Sequence, residues 1–161
     1  MPVTIQKMTK EEFERFLQWS IEDHAKELME EFQISHERAL KDAQAEVSQM
    51  LPDGIHTKNN DLMTITASGK NVGFIWTLYE ETNGQKQCFL CDFAIWEPNR
   101  RNGYGEAALR LIEEKAAALG SQESVLFVRD GNDAANALYH KCGYRLLRQE
   151  GCGKYMIKQL N

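Results

Sequence analysis

The sequence predicts an α/β (α+β) fold, with a mixed, mostly antiparallel six- to seven-stranded sheet flanked by about four helices. Two helical segments come first, and three strand-like runs joined by short turns follow them. A strand, a helix and a further strand then succeed one another near the end, which implies one parallel strand-helix-strand crossover. A chain of 161 residues suits a single domain spanning residues 1–161.

The first sixty residues predict a strand and two amphipathic helices. Val3–Lys7 alternates like a strand, and Thr9 with Glu12 has the spacing of a capping box. Helical periodicity continues from there for about six turns. The apolar stripe of this helix consists of Phe13, Phe16, Leu17, Ile21, His24, Leu28 and Phe32. Ser35 is suited to cap the second helix. The second stripe consists of Ala39, Leu40, Ala43, Val47 and Met50.

A meander of three strands is predicted next, over 62–67, 72–79 and 88–96. Ser68-Gly69 and Asn83-Gly84 supply its turns. A helix starts at about Gly103 and ends at Gly120, a residue typical of the C-terminal cap. The inward residues predicted for it are Ala108, Leu111, Ile112 and Leu119.

The last forty residues predict a strand over 125–128 and a short helix capped by Asn132. Two antiparallel strands, 144–147 and 155–160, close the chain around a turn at Gly151 to Gly153.

The formal net charge of −5 is unevenly distributed. Residues 10–50 hold eleven acidic and five basic residues, and the rest of the chain sums to about neutral. A solvated helix face is the ordinary explanation for such acidic residues. Because a basic stripe is absent, the sequence argues against nucleic acid as a partner.

We expect a cytoplasmic protein without a membrane partner. The sequence lacks both the roughly 18 to 20 consecutive apolar residues of a membrane span and the profile of a secretory signal. Its four cysteines are too few for a disulfide scaffold, so we expect free thiols.

The most informative motif is Arg100-Arg101-Asn102-Gly103-Tyr104-Gly105, between a predicted strand and a predicted helix. Amides at a helix start are unsatisfied donors, glycines allow close approach, and arginines suit a pyrophosphate. Gly-x-Gly alone is equally consistent with a purely structural turn. A P-loop would need Gly-Lys followed by Ser or Thr, and a Rossmann site would need a third glycine in a repeated unit. Neither pattern is present.

Two motifs in order resemble the GNAT superfamily of acyl-CoA-dependent N-acetyltransferases. They are Arg100-x-x-Gly103-x-Gly105 and Asn132-x-x-Ala135-x-x-Leu138-Tyr139 followed by Gly143-Tyr144. Among the members of this family, the sequence resembles uncharacterised bacterial N-acetyltransferases, so the resemblance implies acetyl-CoA and acyl transfer but no particular acceptor. It also implies a sheet splayed between strands 88–96 and 125–128. On this resemblance, 1–60 is the first strand with an acceptor-side helical pair, 61–145 the sheet and CoA-binding core, and 146–161 the C-terminal strands.

The resemblance also implies site residues. The implied cofactor-binding residues are Phe93, Ala94, Ile95, Arg100, Arg101, Asn102, Gly103, Tyr104, Gly105, Glu106, Asn132 and Ala135. Amides from Arg101 to Glu106 would hold the pyrophosphate, and the main chain of Phe93 and Ile95 would pair with the pantetheine arm. Asn132 would hydrogen-bond the pantetheine region.

Tyr139 and Asp92 are the catalytic candidates that follow from this resemblance. A phenol near the thioester can protonate the departing sulfur, although a helix tyrosine can also simply fill the core. The attacking amine must lose a proton, and Asp92 can accept it through a water. Glu80 and Glu81 remain alternative bases. The amide of Ile95 is suited to stabilise the oxyanion.

We expect no metal, because Cys88 and Cys91 lie three apart on a strand and the remaining cysteines and histidines lack ligand spacing. The predicted partner is a small-molecule or peptide amine, and a homodimer is left open. Two alternatives to acetyl transfer remain: a non-catalytic CoA-binding sensor or interaction module, and transfer of a longer acyl group.

Overall fold

The computed structural model describes residues 2–160, which divide into two units. One unit is helical and covers Met8–Lys58. The other contains the sheet and covers residues 2–7 and 59–160. Within residues 2–160, no helix is long and apolar enough to cross a membrane.

The helical unit consists of α1 (Lys10–Phe32), α2 (His36–Met50) and a 3-10 turn at Gly54–His56. The predicted capping box is confirmed, since the Glu12 amide donates to Thr9 Oγ1 at 3.1 Å and the Thr9 amide donates to Glu12 Oε1 at 2.8 Å. Ser35 caps α2 by accepting from the amide of Arg38 at 3.1 Å. Side-chain oxygens thus satisfy amides that each helix start leaves without partners.

Small and aliphatic residues pack α1 against α2. The buried cluster comprises Ala25, Leu28, Ala39 and Ala43. The predicted apolar stripes extend one residue too far at their carboxyl-terminal ends: Phe32 is 58% exposed and Met50 is 44% exposed. Both residues belong to the last turn of their helix. His24, also in the predicted stripe, hydrogen-bonds Glu46 and so links α1 to α2.

The sheet unit contains seven strands among the described residues. They are β1 (Val3–Lys7), β2 (Asn60–Ala67), β3 (Lys70–Thr82), β4 (Gln85–Ile95), β5 (Glu123–Arg129), β6 (Arg145–Glu150) and β7 (Gly153–Gln159). Their order is β1-β2-β3-β4-β5-β7-β6, and every neighbouring pair is antiparallel except β4 with β5. Helix α3 (Tyr104–Ala118) forms the crossover, and α4 (Asp133–Lys141) follows β5. The predicted fold class is therefore confirmed.

The β3–β4 hairpin is longer than the apolar runs predict. Pairing continues through polar residues to Thr82↔Gln85. Asn83 and Gly84 have φ values of 54° and 76°. Two residues with positive φ form the tight turn that matches the twist of paired strands.

Helix α3 contributes to the main core cluster of the sheet unit. Its buried residues are Ala108, Leu109, Ile112, Glu113 and Ala116. The prediction that Leu119 points inward is wrong, since Leu119 is 56% exposed and lies past the end of the helix. Leu111 is half-buried. The unexpected member of the buried face is the carboxylate of Glu113.

A β-bulge at Cys91 interrupts the pairing of β3 with β4. Trp76 pairs with Asp92, whereas the next residue, Thr77, pairs with Leu90. Cys91 is therefore the extra residue, and the alternation of side chains shifts by one across it.

Candidate active site

An opening between β4 and β5 is the central feature of the site. Their parallel pairing runs from Gln87↔Glu123 to Leu90↔Leu126. Strand β4 continues to Ile95 and β5 to Arg129, and no further pair joins these two strands in the described residues. The carboxyl-terminal half of β4 therefore has a neighbour on its β3 side and an unpaired edge on its β5 side.

Strand β4 directs main-chain groups of Phe93 and Ile95 toward this edge. The amide of Trp96 donates to Val72 O of β3 at 2.9 Å. Because hydrogen-bonded and non-hydrogen-bonded pairs alternate in an antiparallel ladder, Ala94 also faces β3 with its main chain. Phe93 and Ile95 face away from β3. Of the three implied strand residues, Ala94 thus lacks a main-chain group directed into the opening.

The bulge at Cys91 determines on which face of the sheet the side chains near that edge lie. Phe93 is opposite Ile75, a core residue on the α3 side, and packs against the same core cluster. Asp92 is opposite Trp76, so its side chain belongs to the other face. If Leu90, Cys91 and Asp92 instead alternated regularly, with no bulge, Asp92 would lie on the core face with Leu90.

The loop before α3 has the shape of an anion-binding turn. Arg101 and Gly103 have φ values of 67° and 78°. Gly103 is the N-cap residue of α3 and gives no side-chain hydrogen bond to the helix start. The amide of Ala107 is the first to reach a carbonyl of the preceding turn, that of Gly103. The amides before Ala107, from Gly103 to Glu106, are those that an α-helix leaves for an external acceptor.

Two loop side chains shape the backbone of this turn. Asn102 Nδ2 donates to the carbonyls of Asn99 at 3.0 Å and Arg100 at 3.2 Å. Arg100 Nε donates to the carbonyl of Ile95 at 2.9 Å. These bonds tie the loop to itself and to the end of β4.

Gly105 marks a close approach of α3 to β4 and α4. A Cβ at this position would lie 3.5 Å from Leu138 Cδ2, 3.6 Å from Phe93 Cζ and 3.7 Å from Ile95 Cγ1. These are ordinary contact distances, so an alanine would fit. The added side chain would point at apolar groups rather than at the loop amides.

Glu106 places a carboxylate in the first turn of α3, next to the loop amides. Lys141 Nζ lies 2.9 Å from its Oε1, and Arg110 donates to Oε2 at 3.0 Å. Lys141 and then Arg110 lower the pKa of Glu106. The two cations also offset a charge that would otherwise repel a pyrophosphate.

Helix α4 is fixed at its start by two asparagines. The amide of Ala135 donates to Asn132 Oδ1 at 3.3 Å. Asn136 Nδ2 donates to the carbonyls of Arg129 at 3.2 Å and Asn132 at 2.8 Å. Because the Oδ1 of Asn132 caps the helix, its Nδ2 is the side-chain group suited to meet a cofactor.

Tyr139 lies on α4 among core residues and is 8% exposed. Burial, followed by the charge of Asp92, raises the pKa of the Tyr139 phenol. The phenol is therefore protonated at neutral pH, as a proton donor must be. The charge of Asp92 thus reaches the Tyr139 phenol.

Asp92 and the alternative bases occupy different stretches of the β3–β4 hairpin. Its Oδ1 accepts from the amide of Phe93 at 3.0 Å. Glu80 pairs with Gln87 and Glu81 with Lys86, both toward the exposed end of the hairpin. Four residues of strand separate Glu80 from Trp76, the partner of Asp92, which is about 13 Å at about 3.3 Å per residue.

Sequence reasoning missed both the bulge at Cys91 and the buried Glu113. Among residues 2–160, no cluster of three or more His, Cys, Asp or Glu side chains is arranged to hold a metal ion.

An open strand edge next to an uncapped helix start suits a cofactor with an extended amide-containing arm and a pyrophosphate. This combination defines an acyl-CoA-dependent acyltransferase. The model of the Acetyltransferase (GNAT) family matches residues 11–144, so the chain belongs to that family. It is an acyltransferase of the N-acetyltransferase class, and acetyl-CoA is its cosubstrate.

Individual relatives agree with this assignment. The uncharacterized N-acetyltransferase YdgE of Bacillus subtilis is 30% identical over 147 residues, covering 91% of this chain and 94% of YdgE. The crystal structure of YycN from Bacillus subtilis superposes with a TM-score of 0.86 at 26% identity, over 92% of this chain and 96% of YycN. Spermidine N-acetyltransferase from Vibrio cholerae, solved with CoA and spermine, shares the fold with a TM-score of 0.69 at 14% identity, over 98% and 95%.

Proposed function

We propose that this protein transfers an acetyl group from acetyl-CoA to a primary amine by direct attack in a ternary complex. The observation that carries the proposal is the opening between β4 and β5, which ends at Leu90↔Leu126. The main chain of Phe93 and Ile95 faces this opening, and the charge of Asp92 contributes to the raised pKa of the Tyr139 phenol.

The cofactor would be held mainly by main-chain groups. The amides from Arg101 to Glu106 suit the pyrophosphate, because Gly103 leaves the start of α3 uncapped. Arg101 adds positive charge to the same loop. The β5-side edge of β4 at Phe93 and Ile95 suits the amides of the pantetheine arm, which would add to the sheet like a short strand. The arm would there replace the bonds that the Phe93 amide makes to Asp92 and the Ile95 carbonyl to Arg100. Asn132 Nδ2 supplies a further donor.

Asp92 and Tyr139 then divide the proton transfers between them. Asp92 accepts, through a water, the proton that the amine loses as its nitrogen bonds to the acetyl carbon. The Ile95 amide stabilises the oxyanion that develops on the carbonyl. As the carbon–sulfur bond breaks, Tyr139 donates its proton to the sulfur. The products are an N-acetylated amine and free CoA.

The acceptor is a small-molecule or peptide amine. The similar fold of a spermidine N-acetyltransferase and the acidic surplus of residues 10–50 favour a cationic amine. Both observations concern the class of acceptor and leave its structure open.

The test is release of CoA thiol from acetyl-CoA with polyamines, aminoglycosides, amino acids and peptide amino termini, alongside calorimetric binding of CoA. We expect turnover with at least one amine, and a loss of about 10²-fold to 10⁴-fold in kcat for Asp92→Asn. Tight CoA binding without turnover across the panel would instead indicate a CoA-binding sensor or interaction module. Faster reaction with propionyl-CoA or butyryl-CoA would indicate a longer acyl group.

A further inference from the structure

A polar network inside the core connects Glu113 of α3 to Tyr144, which lies three residues after the end of α4. Tyr144, 3% exposed, donates through its hydroxyl to Glu113 Oε2 at 2.9 Å. Lys158 Nζ of β7 donates to Glu113 Oε1 at 2.8 Å. The Tyr144 hydroxyl also lies 2.7 Å from Ser124 Oγ of β5. Glu113 itself is 7% exposed, so a charged group is held where an apolar residue would fill the same space.

The same tyrosine is in direct contact with Tyr139. Helix α4 ends in a Schellman motif: the Tyr144 amide donates to the carbonyl of Tyr139 at 2.9 Å, and the Gly143 amide donates to that of His140 at 3.1 Å. Gly143 has the positive φ, 95°, that this motif needs. The rings of Tyr139 and Tyr144 meet edge to face with centroids 5.8 Å apart. An apolar contact is common between these two positions, and phenylalanine at 144 would supply it.

The end of α4 requires the ring of Tyr144 but not its hydroxyl. The hydroxyl is bonded to Glu113 of α3 and to Ser124 of β5, and the bond to the carboxylate is the stronger because it is charge-assisted, so the ring orientation depends mainly on Glu113. That ring packs against the Tyr139 ring, so its orientation limits the orientations open to Tyr139. The Glu113 charge is matched by Lys158, so the network restrains geometry without adding net charge next to Tyr139.

We propose that Glu113, acting through the Tyr144 hydroxyl, is a positioning residue that holds the Tyr139 ring in the orientation for proton donation. This inference rests on the proposed function, because it takes Tyr139 as the acid. Such a residue affects turnover through Tyr139 alone and leaves cofactor affinity unchanged.

The test is a kinetic double-mutant cycle of Tyr144→Phe with Tyr139→Phe, using acetyl-CoA and the best amine of the panel above. Tyr144→Phe keeps the ring, and Lys158 still pairs with Glu113. We expect kcat to fall roughly fivefold to tenfold with KM for acetyl-CoA unchanged, and to change less than twofold in the Tyr139→Phe background. Ser124→Ala is the matched control. It removes a bond from the same hydroxyl but leaves Glu113 in place, so kcat should stay within twofold of wild type.

Equal losses of kcat in both backgrounds, or an equal loss in Ser124→Ala, would overturn the inference by making the network a general support of the fold. A wild-type kcat in Tyr144→Phe would overturn it as well. If Tyr139→Phe itself turns over at the wild-type rate with chemistry rate-limiting, the acid role in the proposed function fails first. Should Tyr144→Phe not fold, Glu113→Gln weakens the same bond and carries the cycle with an expected loss of roughly twofold to threefold.

Discussion

The carboxylate of Asp92 raises the pKa of the Tyr139 phenol, second in effect only to burial. This effect of the Asp92 charge on the Tyr139 pKa suits the proposed order of proton transfers. When Asp92 takes up the proton of the amine, its charge disappears and one cause of the raised pKa is removed. Tyr139 thus becomes a stronger acid at the stage when the sulfur needs a proton.

Tyr139→Phe removes only the phenol oxygen and should lower kcat by about 10²-fold to 10⁴-fold. CoA affinity should be unchanged, since the ring that packs in the core remains. Steady-state kinetics and calorimetry measure the two effects. Tyr155→Phe, on β7 and opposite Phe127 in the sheet, is the control and should retain wild-type kcat.

Gly73→Ala should weaken CoA binding, because a Cβ there would lie 2.2 Å from Ala94 O and 3.0 Å from Ile95 Cα. Relief of this overlap displaces the end of β4 that carries Phe93 and Ile95. We expect the free energy of unfolding to fall by about 1–3 kcal/mol. Gly131→Ala is the control, since no atom lies within 4 Å of its added Cβ. Wild-type CoA affinity in Gly73→Ala would contradict the assignment of the β4 edge to the pantetheine arm.

Arg101→Glu reverses the charge beside the uncapped amides of α3. A charge-assisted hydrogen bond is worth about 1.5–3 kcal/mol, so the Kd for CoA should rise roughly tenfold to 100-fold. The salt dependence of binding should also diminish. Arg145→Glu, on the exposed strand β6, is the matched control. If both variants weaken CoA binding equally, the effect is one of net charge and the loop assignment fails.

His24 makes the stability of the helical unit depend on pH. The ion pair with Glu27 and the hydrogen bond to Glu46, opposed by partial burial, raise the pKa of His24 from 6.5 to about 9. A raised pKa means that the stabilisation is fully present below about pH 6.5 and is lost as pH rises through about 9. Since His24 is about one third exposed, we expect only about 1 kcal/mol, or about 2–4 °C in Tm, between pH 6.5 and 10.

The measurement is the pH dependence of Tm for the wild type and for His24→Asn, with the exposed His56→Asn as control. The His24→Asn protein should lose the fall in Tm between pH 6.5 and 10 that His24 causes, and the His56→Asn protein should keep it. Identical slopes in all three proteins would show that the His24 pairing does not contribute.

Cationic amines should be captured faster than neutral or acidic ones. Residues 10–50 carry six more acidic than basic residues, and a protonated His24 reduces that surplus by only one. Their field enriches cations nearby and is screened over about 8–10 Å at physiological salt. The kcat/KM for a polyamine should therefore fall as salt rises. A best acceptor that is neutral or anionic would leave the acidic residues as a solvated helix face.

Local chemistry made most elements of the fold predictable from sequence. Thr9, Ser35 and Asn132 each cap the helix that they were predicted to start. These signals work because a cap or a turn is decided by residues close together in the chain. The family motifs likewise located the loop at Gly103 and the tyrosine at 139.

Two features of the site depend on distant partners and were not predictable in this way. The bulge at Cys91 lies in an apolar run without glycine, and only the facing strand decides where the ladder shifts. Glu113 meets Tyr144 and Lys158, which are 31 and 45 residues further along the chain. Its position one turn after Leu109, on the apolar stripe, was the one signal available.

The bulge at Cys91 has a consequence for variation in chain length within β4. Deletion of Cys91 would make Leu90 and Asp92 neighbours, and these residues are already opposite Thr77 and Trp76. The ladder would become regular while every side chain of β4 kept its present face. A single-codon deletion should therefore be less damaging here than in a regular strand, because it leaves the wet and dry sides of β4 unchanged.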